Sequence, residues 1–237
     1  MNLPDPIIHD LEIMTGAVNY RKWIYSQIKE YLGQRIVELG AGIGNFTEML
    51  LDREQVVAVD NYAPCIEYLK RRFSIYKNII PVNVDISTPA LLELGRYRPD
   101  TIVCLNVLEH VMDDVTTLSL MFNLLKKGGR LVLFVPAFQP LYGGIDRLVG
   151  HHRRYSKKEL TKKLAGAGFK TKTVFYMNSI GFVGWFLNNR VFGKKEESST
   201  QVKFFDRFIV PWLRNVEHVI KPPFGMSLIA VGGREDN

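Results

Sequence analysis

Cysteine is nearly absent. The 237 residues hold two, Cys65 and Cys104, with no Cys-x-x-Cys pair to staple a small fold or grip a zinc ion. A disulfide framework is excluded, and a reducing, cytoplasmic setting is the expectation. Cys104 lies inside an apolar run and reads as core filler. Long apolar runs are missing too. The N-terminal stretch carries Asp5 and Asp10 and no apolar run, so no signal peptide is expected. The uncharged aromatic stretch 174–189 falls short of the about 20 apolar residues that a membrane span needs. No internal repeat or low-complexity tract occurs. No Gly-Lys-[Ser/Thr] follows a glycine turn, which excludes a P-loop.

The formal net charge of +7 raises the question of nucleic acid. Much of the excess sits in one place, where Arg153, Arg154, Lys157, Lys158, Lys162 and Lys163 face the single acid Glu159. The charge is therefore local, and no nucleic-acid-binding module accompanies it.

Against these absences stands one dense signal. Val37-Glu38-Leu39-Gly40-Ala41-Gly42-Ile43-Gly44-Asn45-Phe46 reads as an apolar strand, a glycine-rich turn and the start of a helix. Val56-Val57-Ala58-Val59-Asp60 then ends a second strand on a carboxylate. Glycine lets the backbone approach a bound nucleoside without a Cβ in the way. A carboxylate at the second strand end is placed to accept both hydroxyl hydrogens of a ribose. The dinucleotide fingerprint asks for a glycine where Asn45 stands, which disfavours a nicotinamide cofactor. The chain reads as a binder of some other nucleoside cofactor.

Glu38, the Gly40/Gly42/Gly44 spacing and Asp60 together resemble the class I S-adenosylmethionine-dependent methyltransferases. Three further stretches match in order. Asn83-Val84-Asp85-Ile86 resembles the strand end where that family holds the adenine. Leu105-Asn106-Val107-Leu108-Glu109-His110, closing an apolar run from Asp100, resembles its fourth strand and the loop facing the methyl group. Leu125-Lys126-Lys127-Gly128-Gly129-Arg130-Leu131 resembles the helix, turn and fifth strand that follow. The resemblance covers about Arg35 to Val135. It implies S-adenosylmethionine as cofactor and S-adenosylhomocysteine as product. Around them it implies Glu38, Gly40, Ala41, Gly42, Gly44, Asp60, Asn61, Asp85, Ile86 and Asn106, with Tyr20 of an N-terminal helix as cover. The Leu-Glu-His run is similar to that of the quinone-biosynthetic O-methyltransferases. Some of those hold a divalent metal with this Glu-His pair and a glutamate three positions earlier. Here that position is Asn106, a poor ligand for a hard cation, so no metal is expected.

The alternation of apolar runs and helical patterns predicts an α/β fold, with a mostly parallel, Rossmann-like sheet and helices on both faces. Seven strands are expected, at 35–39, 56–59, 79–84, 101–105, 130–135, 171–175 and 227–231. The last fits the antiparallel strand of the resembled family. One domain, 1–237, divides into N-terminal helices over 1–33 that cover the cofactor and a cofactor-binding core over 34–135. A loop over 136–155 and a helical, aromatic cap over 176–224 complete it. Helical spacing over 20–32 gives the N-terminal helix an apolar stripe through Trp23, Ile24 and Ile28.

The loop 136–155 mixes glycines, aromatics, histidines and arginines at the end of a sheet strand, as a substrate-recognising loop does. Tyr142, His152, Arg153, Arg154 and Tyr155 are its candidate acceptor-binding residues. Asp146, Gly150, His151, Arg153 and Tyr155 also form an Asp-x-x-x-Gly-His-x-Arg-Tyr pattern similar to one in bacterial methyltransferases. Ser156-Lys157-Lys158-Glu159 makes a capping box that starts a helix. In the cap, 193–200 reads as an exposed loop. Beyond it Phe204, Phe205, Phe208, Ile209, Trp212, Leu213 and Val216 repeat at helical spacing, with Pro211 expected to kink or interrupt the helix. A lid, a dimer face or a helix on a membrane surface are the three uses open to that stripe, and packing against protein, as lid or dimer face, is the expectation.

Methyl transfer needs a base only when the acceptor arrives protonated. His110 is the first candidate, His151 and His152 are rivals, and Glu109 is placed to orient a neighbour. Guanidinium groups on the loop suit a carboxylate or phosphate on the acceptor. The expected activity is O-methylation of a small, amphiphilic or sugar-containing acceptor by a monomer or homodimer, cytoplasmic or at a membrane surface. An RNA or protein methyltransferase using 151–163, or a silent S-adenosylmethionine-binding partner subunit, are the alternatives. The Asn-Pro-Pro-aromatic tetrad of nucleic-acid amino-methylating enzymes is missing, because Asn106-Val107-Leu108-Glu109 stands there.

Overall fold

The computed structural model describes residues 5–186 and 203–235. Its strands are β1 (Arg35–Leu39), β2 (Gln55–Asp60), β3 (Ile79–Asn83), β4 (Thr101–Leu105), β5 (Arg130–Pro136), β6 (Lys170–Met177) and β7 (Ser227–Gly233). They form one sheet in the order β3-β2-β1-β4-β5-β7-β6. β1 to β5 are parallel, and β7 runs antiparallel between β5 and β6. All seven expected strands are present, including the antiparallel last one. Their composition explains their place: β1, β2 and β4 are mostly buried Val, Ile, Leu and Ala, as strands covered on both faces must be.

The helices are α1 (Pro6–Thr15), α2 (Val18–Ile28), α3 (Ala63–Arg72), α4 (Asp114–Leu124), α5 (Gly144–Leu148), α6 (Lys157–Gly166), α7 (Ser179–Phe186) and α8 (Val210–Val219). α2, α3 and α8 cover one face through Trp23, Ile28, Leu69, Phe73, Val210 and Leu213. α4 and α6 cover the other through Leu118, Met121, Leu160 and Leu164. α6 starts at Ser156, whose side chain accepts the Glu159 N–H at 3.2 Å. From β1 the chain winds one way to β2 and β3, while β4 and β5 lie on the other side. Strand order thus reverses between β1 and β4, which opens a crevice beyond their carboxyl ends.

Two expectations fail. Behind the glycine turn stand further turns and a short 3-10 helix, Thr47–Leu50, in place of an α-helix. Gly44 takes φ +85° against α3, where a Cβ would lie 2.3 Å from Phe73 Cε2. Left-handed backbone there stops an α-helix from starting at the turn. The aromatic stripe of the cap is not packed as a whole either. Val210 and Leu213 turn inward, but Phe204, Phe208 and Trp212 are each 59% exposed. Pro211 sits in the first turn of α8, where its missing N–H costs nothing. A π-helical turn, Phe205–Ile209, precedes it, so the helix is interrupted near the proline. The loop expected at 193–200 lies outside the described residues.

Candidate active site

A cavity of about 780 Å³ opens at the reversal between β1 and β4. That is within the usual range for a small-molecule site. Gly40 and Gly42 form its floor at φ +70° and +54°, backbone that a side chain would strain. Asp60, at the end of β2, holds the turn in place. One of its carboxylate oxygens accepts the Gly42 N–H at 2.9 Å and the other the Tyr62 N–H at 2.9 Å. Each oxygen keeps a lone pair for a ligand hydroxyl. Asn61, Tyr62 and Cys65 continue the same wall. Asp85 and Ile86, beyond β3, line the next side. Asp85 also closes a local turn, accepting the Ser87 N–H and hydroxyl at 2.9 and 2.7 Å through one oxygen. Asn106 lines the cavity after β4 with φ +52°, a conformation asparagine tolerates better than most residues.

Several residues assigned to the cofactor from sequence are set behind this surface. Glu38 is buried, and its carboxyl accepts the Thr47 hydroxyl at 2.7 Å, bracing the turn from below. Burial pushes its pKa up to about 7 against the pull of that hydrogen bond. Ala41 is buried and donates its N–H to Val59 O at 2.8 Å. Gly44 serves the packing on Phe73. Tyr20 packs edge-on against Trp23 and Phe134 and is not among the lining residues. The cover comes from α1 instead, where Ile7 and Leu11 line the cavity. α1 is tied down by Asn45 Nδ2 donating to Leu11 O at 2.9 Å and by the Tyr62 hydroxyl donating to Asp5. Tyr62, Cys65, Ser87 and Val107 also line the site unforeseen. Their proximity to Asp60, Asp85 and Asn106 in sequence was the available signal. A Pro-Cys step, the dipeptide of cytosine C5-methylating enzymes, does occur at Pro64–Cys65. It opens α3 rather than following β4, and burial pushes the Cys65 thiol up to about 12, far from a nucleophile.

The other end of the cavity is lined by His110, Val111, Met112, Asp113, Val149 and His152. Behind it lies a compact polar cluster. Asp146 is buried, accepting Arg154 Nε at 2.8 Å and facing His151 Nδ1 at 2.9 Å. The His151 Nε2 then faces Glu109 Oε1 at 3.8 Å, and its ring meets His110 edge-on with centroids 4.6 Å apart. Glu109 is fully buried, and neither of its carboxyl oxygens has a hydrogen-bond partner. Desolvation pushes its pKa up to about 8, so the carboxyl is mostly protonated at neutral pH. Desolvation, helped by His151, pushes the His110 imidazole down, so it stands neutral.

The loop 136–155 is therefore braced rather than flexible. Arg154, with 2% exposure, is a core residue and cannot meet an acceptor. Tyr155 is buried with its hydroxyl donating to Asp114 at 2.9 Å. Arg153 reaches Asp114 at 2.9 Å and Met112 O at 2.7 Å. Tyr142 donates its hydroxyl to His151 O at 2.7 Å. Of the five residues assigned to the acceptor, only His152 lines the cavity. His151 is withdrawn behind His110. The lid reading of the cap loses its support too, because no described residue of the cap lines the cavity.

Glu109, His110 and His151 each bring one ligand atom within 4.8 Å of the others, a grouping the sequence spacing concealed. Asn106 is not in it. A divalent cation fits there only if Glu109 gives up its proton.

The family described as a methyltransferase domain matches residues 37–131, which hold the glycine turn, Asp60, Asp85 and Glu109. That stretch, less than half of the chain, is similar to the class I S-adenosylmethionine-dependent methyltransferases. Their cofactor, S-adenosylmethionine, suits the glycine floor and strand-end carboxylates described above. Among curated relatives, a ubiquinone biosynthesis O-methyltransferase of Xanthomonas euvesicatoria pv. vesicatoria is 32% identical over 108 residues, 44% of each chain. A probable polyketide synthase of Dictyostelium discoideum is 29% identical over 151 residues, 54% of this chain and 6% of that one. The chain thus spans less than half the length of these relatives. A methyltransferase of Mesorhizobium loti solved by crystallography superposes with a TM-score of 0.58 over 90% of this chain and 98% of the other. At 17% identity it shows the shared fold.

Proposed function

We propose that this methyltransferase moves the methyl group of S-adenosylmethionine to a hydroxyl of a small, largely apolar acceptor. One observation carries the reading: a single cavity runs from Gly40, Gly42, Asp60 and Asp85 to His110 and His152. Bound S-adenosylmethionine supplies an electrophilic sulfonium methyl, so an acceptor oxygen forms an O–CH3 bond as the S–CH3 bond breaks. The protein's share is alignment and exclusion of water, which together are worth about 7–11 kcal/mol. Asp60 and Asp85 fix the nucleoside end. His110, neutral and set at the far end, packs beside the incoming hydroxyl and orients it towards His152. His152 also lines the cavity, reaches water, and takes the proton as the bond forms. His151, clamped by Asp146, holds the His110 ring edge in position.

The mouth of this end is apolar: the lining residues Met112 and Val149 are 73% and 47% exposed. That supports an acceptor with a hydrocarbon part, as does similarity to an enzyme named for ubiquinone biosynthesis and O-methylation. Arg154 is buried and cannot hold an anionic head on the acceptor. The basic segment offers little to nucleic acid. Arg153 and Lys163 are both spent on Asp114, and Lys157 lies over the Tyr176 ring at 4.4 Å. The test is transfer of labelled methyl from S-adenosylmethionine into a panel of hydroxylated amphiphiles, RNA and protein. Label in an amphiphile, reduced about a hundredfold by His152→Ala, is the expected result. Label in RNA or protein alone would overturn it.

A further inference from the structure

The segment 203–221 divides its charges by face. Both of its acids turn inward and cap neighbouring backbone. Asp206 accepts the N–H groups of Asn19 and Tyr20 at 3.1 and 2.8 Å. Glu217 accepts those of Asn178 and Ser179 at 2.9 and 2.8 Å. With Val210 and Leu213 these residues fasten the segment to the domain. The outward face has the opposite make-up. Phe204, Phe208 and Trp212, spaced four residues apart, stand 59% exposed, and Val219 and Ile220 at the far end 80% and 68%. The bases Lys203, Arg207 and Arg214 are exposed beside them, and the Arg207 guanidinium lies 5.6 Å from the Phe208 ring centroid.

We infer that this face lies flat on an anionic lipid surface. Exposed Phe and Trp with exposed bases and, within 203–221, no exposed acid match the interfacial region of a membrane, where rings settle at headgroup depth and bases meet lipid phosphates. The segment attaches to the surface and does not cross it, since no described helix is long and apolar enough to span a bilayer. A symmetric dimer through the same face would set Lys203, Arg207 and Arg214 against their own copies, and like charges disfavour that pairing. Surface attachment does not depend on the acceptor chemistry proposed above.

The test is cosedimentation of the full chain with vesicles of phosphatidylcholine alone and of phosphatidylcholine with phosphatidylglycerol. Binding should require phosphatidylglycerol and fall at high salt. Phe208→Glu with Trp212→Glu should abolish it. Arg207→Gln and Arg214→Gln should each weaken it about fivefold, and they spare the packed face. S-adenosylhomocysteine affinity, unchanged in every variant, shows that each is folded and keeps a failure here separate from a failure of the methyltransferase reading. Wild-type protein that ignores both vesicles would overturn the inference. So would a lipid-free dimer that Trp212→Glu dissolves.

Discussion

The two ends of the cavity are built from different materials. At the end proposed for the cofactor the backbone does most of the work, through two left-handed glycines, one carboxylate that straps the turn, and apolar strands beneath. At the end proposed for the acceptor the wall is a web of charged side chains spanning distant stretches of chain: Asp146 with Arg154 and His151, Asp114 with Arg153, Tyr155 and Lys163. The first kind of construction tolerates little change at a few positions. The second can exchange its lining residues so long as its braces hold. A common donor site joined to a variable acceptor site is what that difference would allow.

The largest effect that would break the comparison comes from Arg154→Met. It leaves Asp146 charged and buried with one partner fewer, which should cost about 3–5 kcal/mol. A chain of this size should then melt on the order of 10 °C lower. Thermal denaturation reads this, while S-adenosylhomocysteine affinity should stay within about twofold if the two ends are independent.

Glu109→Gln gives a smaller, pH-dependent change. The Glu109 pKa stands near 8 in the fold against an ordinary value of 4.5, so its ionisation favours unfolding. Its contribution is intact below about pH 4.5 and is lost as pH rises through 8. The glutamine variant should match wild type at acid pH and melt several degrees higher above pH 8, a gain on the order of 1–2 kcal/mol. Equal melting at both ends of the range would mean that Glu109 is not buried uncharged. Glu38, with its pKa near 7, slopes the same way in both proteins.

The smallest effect sharpens the cofactor end. Asp85→Ala should weaken S-adenosylmethionine about tenfold, the worth of one hydrogen bond to a charged group, with little change in melting temperature. Calorimetric titration measures the first and a melt the second.

The same contrast explains what could be read in the sequence. Strands β1 to β5 and the floor of the cavity are local features, each set by a run of neighbours, and the chain displays them openly. Residues just behind that floor were harder to place. Glu38 and Gly44 belong to the same motif as Gly40 and Gly42, but alternation along the strand and the left-handed turn send them to the packed side. The acceptor end was misread because its pairs are far apart in sequence. Nothing near Arg154 announces that Asp146 and the loop will bury it. The Asp-x-x-x-Gly-His-x-Arg-Tyr pattern reads as a ligand site, yet Asp146, Arg153 and Tyr155 are the braces that hold the wall. The exposed half of the cap stripe escaped for a related reason: periodicity locates a helix face but does not say whether protein covers it.

The central claim is that the glycine turn and Asp60 hold the nucleoside of S-adenosylmethionine. Calorimetric titration of S-adenosylhomocysteine into wild type and Asp60→Ala tests it most directly. Tight binding by wild type, weakened about a hundredfold in a variant that still folds, is the predicted result. Folded wild-type protein that does not bind, or an Asp60→Ala variant that binds as well as wild type, would contradict it.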